Sequence, residues 1–113
     1  MMAHPGDVVL VRFPFTDLST SKVRPAAVLA SHGDDLIIVG IFSSLPQPPR
    51  NTWVLVSDGD PAFPQTGLKT SGLVKAERIA VVERSVVVRK LGSLSAAHMD
   101  AVKQAVKLAL NLA

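Results

Sequence analysis

The sequence has no cysteine and no tyrosine, one tryptophan and four phenylalanines. Without cysteine there is no disulfide, no thiolate nucleophile and no cysteine-ligated zinc, a usage that fits a cytoplasmic chain. So few rings argue against a base-stacking platform of the RRM or OB kind. Any nucleic-acid binding is therefore expected to rest on charge and hydrogen bonds. No run reaches the 18 or more apolar residues of a membrane span. The opening MMAHPGD lacks the basic and apolar stretches of a signal peptide. His4, His32 and His98 are scattered over terminus, turn and helix, so neither a metal nor a cofactor is expected. Asp58 and Asp60 flank Gly59, but the other ligand positions of a calcium loop are missing and the stretch reads as a turn. There is no P-loop, no GxGxxG and no nucleophile elbow.

What is present is a single domain's worth of chain, residues 1–113, with a net charge of +3 and a pI near 9.7. That balance is compatible with a polyanionic partner. Residues 7–13 (DVVLVRF) form a β-rich run ended by Pro14, with Asp7 and Arg12 expected on a solvent face. Residues 14–24 are rich in Ser, Thr and Asp and read as a loop. Pro25 opens a second strand through Ser31, a tight turn follows at 32–35, and residues 36–42 (LIIVGIF) are a third strand. The unbroken apolarity of that third strand predicts burial on both faces. After the proline-rich stretch 45–50, residues 52–57 alternate as a fourth strand, with Trp53 expected in the core or at a dimer contact. Residues 58–69 are loop; 70–76 and 79–82 read as two short strands separated by Glu77-Arg78, and 86–91 as a last strand, with the stretch around it partly helical. Ser95 is a good N-cap, and Met99, Val102, Val106, Ala109 and Ala113 recur at helical spacing. The pattern predicts a mainly β fold with one C-terminal helix, its sheet strongly bent or closed into a barrel.

One juxtaposition has chemical content. If strands two and three form a hairpin about the turn at 32–35, Arg24 and Ser43 are equally far from it and reach the same end of the sheet. A guanidinium and a hydroxyl facing one space suit a phosphate, the first as a permanently charged fork, the second as a directional donor. The plainer reading is a sheet-edge cation beside a Ser-Ser turn. Spacing alone leaves both open.

The residues themselves add a resemblance. Gly6-Asp7-Val8-Val9, Arg24-Pro25-Ala26-Ala27-Val28-Leu29 and the third strand ending in Ser43-Ser44 resemble the MazF/PemK toxins of type II toxin–antitoxin systems. So do Gly67-Leu68-Lys69, Ser71-Gly72-Leu73-Val74, Leu91-Gly92-Ser93-Leu94-Ser95 and the terminal helix, which makes the likeness essentially full length. It implies an SH3-like barrel of the PemK/CcdB type and a homodimer. It also implies a metal-independent endoribonuclease that cuts single-stranded RNA through the RNA's own 2′-hydroxyl. By the same likeness, Arg24 takes the place of the catalytic arginine and Ser43 that of a catalytic threonine. Lys22, Ser44, Arg50 and Lys69 are candidate RNA contacts, and Asp17, Ser19 and Thr20 lie in the substrate loop. Ser19 stands where many members carry an acid. The implied partner is an acidic, partly disordered antitoxin.

Two alternatives accompany this reading. A catalytically weak relative would keep only antitoxin or DNA binding. A gyrase poison of the CcdB type would need a tryptophan-bearing tail, and this chain ends Leu110-Asn111-Leu112-Ala113. A peptide-binding SH3 module would need an aromatic groove that one Trp and no Tyr do not supply.

Overall fold

The computed structural model describes residues 3–12, 23–43 and 49–112. Strands β1 (Asp7–Arg12), β2 (Val23–His32), β3 (Asp35–Phe42), β4 (Trp53–Val56), β5 (Gly72–Glu83) and β6 (Val87–Ser93) form one sheet. Its order is β4-β5-β3-β2-β1-β6, with every pairing antiparallel. Helix α1 (Ala96–Ala109) follows the last strand. The mainly β class and its terminal helix are as the sequence pattern predicts. Lys22, Ser44, Asp17, Ser19 and Thr20 lie outside the described residues.

The central strands feed two cores. Val8, Ala27, Val39 and Ile41 pack with Met99 and Val102 of α1 on one face. Val9, Val11, Ala26, Val28, Leu36 and Ile38 pack with Ala3 and Val82 on the other. Successive strand residues point to opposite faces, so a strand covered on both must be apolar without alternation. That is why LIIVGIF shows no period of two. Among the described residues, no part of α1 belongs to the second cluster. Val82 of β5, second from one end of the strand order, and Val87 of β6, at the other end, meet in the same cluster. The sheet thus curls back on itself, as closure into a small barrel requires.

Three local expectations change. Residues 72–83 are one strand, not two short ones. Val39 pairs with Ile79 and Ile41 with Val74, so residues 75–78 stand opposite Gly40 alone. The result is a large bulge, steadied by β4: Trp53 pairs with Lys75, and the Ala76 N–H donates to the Thr52 carbonyl at 3.0 Å. The polar pair Glu77-Arg78 reads as a break in sequence because the bulge pushes it outward. β2 begins at Val23, so Arg24 and Pro25 belong to the strand. Pairing with β3 starts only at Ala26, which leaves Pro25 matched to Leu10 on one side, where a missing N–H is tolerated.

Asp7 is the third change: it is buried rather than on a wet face. Its Oδ2 accepts the His4 backbone N–H at 2.8 Å, and Oδ1 lies 3.2 Å from the Lys90 ammonium. The carboxylate therefore ties the entry of β1 to edge strand β6. Asp7→Ala removes charge-assisted bonds from a buried site and is expected to cost about 2 kcal/mol. Chemical denaturation checks this, the midpoint falling with an unchanged slope.

The helix starts where Ser95 predicts, its Oγ accepting the His98 N–H at 3.1 Å. The His98 ring also lies 3.1 Å from that Oγ through Nδ1 and 3.5 Å from Asp60 Oδ2 through Nε2. Serine, histidine and aspartate thus line up, but the hydroxyl is committed to capping the helix, and the trio ties the 57–60 turn to α1. Of the predicted apolar stripe, Met99 and Val102 are buried together with Ala105, while Val106 and Ala109 are half-buried. The helix ends at Ala109, and Ala113 lies outside the described residues.

Candidate functional site

The β2–β3 hairpin fixes the two residues that sequence reasoning put together. Its turn is tight because Gly33 takes φ +63°, and His32 pairs with Asp35 directly across it. The register runs to Ala26 opposite Gly40. Two residues further, Arg24 faces Phe42, and its guanidinium carbon stands 5.8 Å over that ring's centroid. Ser43 follows Phe42 and is exposed, while Arg24 is half-buried. Both therefore stand at the end of the hairpin away from the turn. Among the described residues, no carboxylate forms an ion pair with Arg24.

Beside them is a cleft of about 280 Å³. Pro25, Ile41 and Leu91 line it with apolar surface, and Ser43, Lys69 and Arg89 contribute polar groups. Lys69 thus lines the same cleft as Ser43. Arg89 is an addition that the sequence pattern does not point to. It stands opposite Leu10 only because β6 returns to pair with β1, a long-range match that leaves no local signal.

The wall carrying Lys69 is set by two glycines. The 3-10 turn Pro64–Thr66 ends at Gly67 with φ +72°, and it lies directly on the backbone of β6. A Cβ on Gly67 would meet the Leu91 carbonyl, and one on Gly92 would meet the carbonyls of Gln65 and Thr66. The contact is closed by the buried Thr66, whose hydroxyl donates to the Phe63 carbonyl at 2.7 Å and accepts the Leu68 N–H at 3.1 Å.

Arg50 does not line the cleft. It lies on the outer surface, in a second hollow of about 340 Å³ formed with Trp53, Lys75, Glu77 and Arg78. Trp53 is not in the core either. Arg50 sits 5.2 Å from its ring centroid and Lys75 4.7 Å, and the same Lys75 ammonium is 4.8 Å from the Phe42 centroid. Cations and rings therefore alternate from Arg24 through Phe42, Lys75 and Trp53 to Arg50. Phe42 and Trp53 are thus platforms for cations rather than open faces for bases.

Glu77 closes that row. Its Oε2 accepts from Thr52 Oγ1 at 2.6 Å and Arg50 Nη1 at 3.1 Å, and its Oε1 from Trp53 Nε1 at 3.0 Å. Burial works to raise its pKa, but the hydrogen bonds from Thr52, its own backbone, Arg50 and Trp53 outweigh that effect. The carboxyl is held below its ordinary value. Phe42, Lys75 and Glu77 do not stand out in the sequence, because the bulge in β5 is what turns them toward one another.

A model of the family described as PemK-like, MazF-like toxin of type II toxin–antitoxin system matches residues 4–110. The chain belongs to this family. Solved structures agree in fold. A mycobacterial endoribonuclease in complex with its cognate antitoxin superposes with a TM-score of 0.76 at 21% identity, over 99% of this chain and 98% of that one. The Mycobacterium tuberculosis toxin MazF-mt6 gives 0.75 at 18% identity, over 95% and 98%. A MazE–MazF complex from Deinococcus radiodurans gives 0.75 at 18% identity, over 100% and 99%. No curated protein sequence matches this member of the toxin family. Among its described residues, no helix is long and apolar enough to cross a membrane.

Proposed function

We propose that this toxin-family member is a metal-independent endoribonuclease acting on single-stranded RNA, with Arg24 and Ser43 at its active site. The observation that carries this is their position at one end of one hairpin, next to a cleft with Lys69 and Arg89 on its rim. The 2′-hydroxyl of the RNA loses its proton and its oxygen bonds to phosphorus. The bond from phosphorus to the 5′-oxygen breaks, and that oxygen takes up a proton. A 2′,3′-cyclic phosphate and a 5′-hydroxyl result. Negative charge grows on the phosphoryl oxygens as this proceeds, and a fixed guanidinium with a hydroxyl donor stabilises it without reorganisation. Arginine stays protonated at neutral pH, so its part is electrostatic rather than that of a proton donor. Lys22, Ser44, Arg50 and Lys69 complete the RNA contacts in this reading, with Asp17, Ser19 and Thr20 in the loop over the substrate. Active as a homodimer, the toxin is neutralised by an acidic antitoxin segment that orders on binding. The antitoxin complexes among its structural relatives support that partner. The family match gives no support to DNA binding.

Cleavage of varied single-stranded RNAs in excess EDTA, with analysis of the new ends, tests the reading. Cyclic phosphate and 5′-hydroxyl ends are expected. Intact RNA, ends of the opposite polarity, or loss of activity on adding EDTA overturns it. Ser43→Ala is expected to slow cleavage by about 100-fold, the scale for one oxyanion donor. Ser43→Thr keeps the hydroxyl, restricts its rotamer and should retain the rate.

A further inference from the structure

The donors around Glu77 are an anion site in their own right. Arg50, Thr52 and Trp53 come from the start of β4 and the residues before it, and they converge on both oxygens of one carboxylate at 2.6 to 3.1 Å. A charged guanidinium with two neutral donors is the set that takes two non-bridging oxygens of a phosphodiester. The charged groups facing Glu77 across the hollow are Arg50, Lys75 and Arg78, so it is the sole acid among the hollow's lining residues. The Arg50 and Glu77 side chains are 64% and 34% exposed. Ion pairs this open to water are weak and exchange readily.

We propose that Arg50, Thr52 and Trp53 form a second RNA-phosphate site, occupied in the free toxin by the chain's own Glu77 carboxylate, which a phosphate displaces. The inference rests on the ribonuclease reading and deepens it. A strand with its scissile phosphate between Arg24 and Ser43 has its neighbouring phosphates led along Lys75 toward Arg50 by the row of alternating cations and rings. Glu77 then weakens RNA binding generally, because each bound strand must expel it. Its place on the β5 bulge holds it against the donors without making it part of the sheet ladder.

The test is fluorescence anisotropy on the full chain with a 2′-O-methylated single-stranded RNA, which binds but has no free 2′-hydroxyl to attack. Glu77→Gln is expected to bind 3- to 10-fold more tightly. Arg50→Ala is expected to bind 3- to 10-fold more weakly, with the slope of log K against log salt shallower by about 0.7, the contribution of one phosphate on a single strand. Adding Arg50→Ala to Glu77→Gln should erase the gain. Glu83→Gln, at an exposed acid on the same strand, controls for net charge and should change nothing. Unchanged or weaker binding by Glu77→Gln overturns the proposal, as does an equal gain from Glu83→Gln. If the gain appears but unmodified RNA is never cut, the phosphate site stands and the catalytic reading falls. If wild type and Glu77→Gln both fail to bind RNA, both fall.

Discussion

Arg24→Ala is expected to reduce RNA cleavage by about 1,000-fold while leaving the protein folded. The size follows from what the guanidinium faces. It stands at the sheet end beside Ser43, half-buried and without an ion-pair partner among the described residues. A preorganised donor aimed at developing charge contributes about 100- to 1,000-fold in rate, and this one carries a full positive charge as well. The cost to folding is small. Truncation removes the approach of the guanidinium over Phe42 at 5.8 Å, worth about 1 kcal/mol at a half-buried site. Arg24→Lys separates charge from shape: it keeps the cation but loses the planar fork, so an intermediate rate is expected. Single-turnover cleavage with enzyme in excess reads the chemical step free of product release. Thermal melts of both variants check the fold. A rate for Arg24→Ala within a few-fold of wild type removes this residue from the active site.

The shared sheet end of Arg24 and Ser43 is legible in the sequence, and the nearby Arg89 and Lys75 are not, for a single physical reason. Distance from a two-residue turn is a local quantity, and the one register shift in this hairpin, between Val28 and Ala30, moves it by a single position, so that Arg24 faces Phe42 with Ser43 next along the chain. The apolar third strand and the Ser95 cap are legible for the same reason: period and capping are properties of a few consecutive residues. Arg89 and Lys75 depend instead on partners far along the chain. Leu10 opposite Arg89 requires β6 to close on β1, and Lys75 meets Phe42 and Trp53 only through the bulge opposite Gly40. Asp7 misleads for a related reason. A lone acid at a strand start reads as solvent-facing until the backbone N–H of His4 and the ammonium of Lys90 are seen to enclose it. The family likeness covers blocks such as Leu91-Gly92-Ser93, but not the reason a glycine stands there.

That reason is steric, and it makes Gly92→Ala a large expected loss of stability. A methyl on Gly92 would overlap the Gln65 carbonyl oxygen and come within 2.6 Å of the Thr66 carbonyl carbon. Both obstacles are backbone, so no rotamer change relieves them. The turn Pro64–Thr66 must lift off β6, which pulls on the hydrogen bonds that hold buried Thr66. Overpacking of this kind costs about 3 kcal/mol. For a domain of this length, that lowers Tm by about 12 °C. Gly59→Ala is the matched control, because its Cβ meets only the Ser57 hydroxyl oxygen at 3.7 Å, an ordinary contact. The two variants add the same methyl group, so a difference between them isolates the close approach from the general effect of replacing glycine. The consequence reaches the site as well. Lys69 and Thr70 line the cleft from the segment that this turn anchors, so Gly92→Ala should also weaken RNA binding at temperatures where the protein is still folded. Equal melting temperatures for the two variants would mean the β6 backbone yields where the structure shows it pinned.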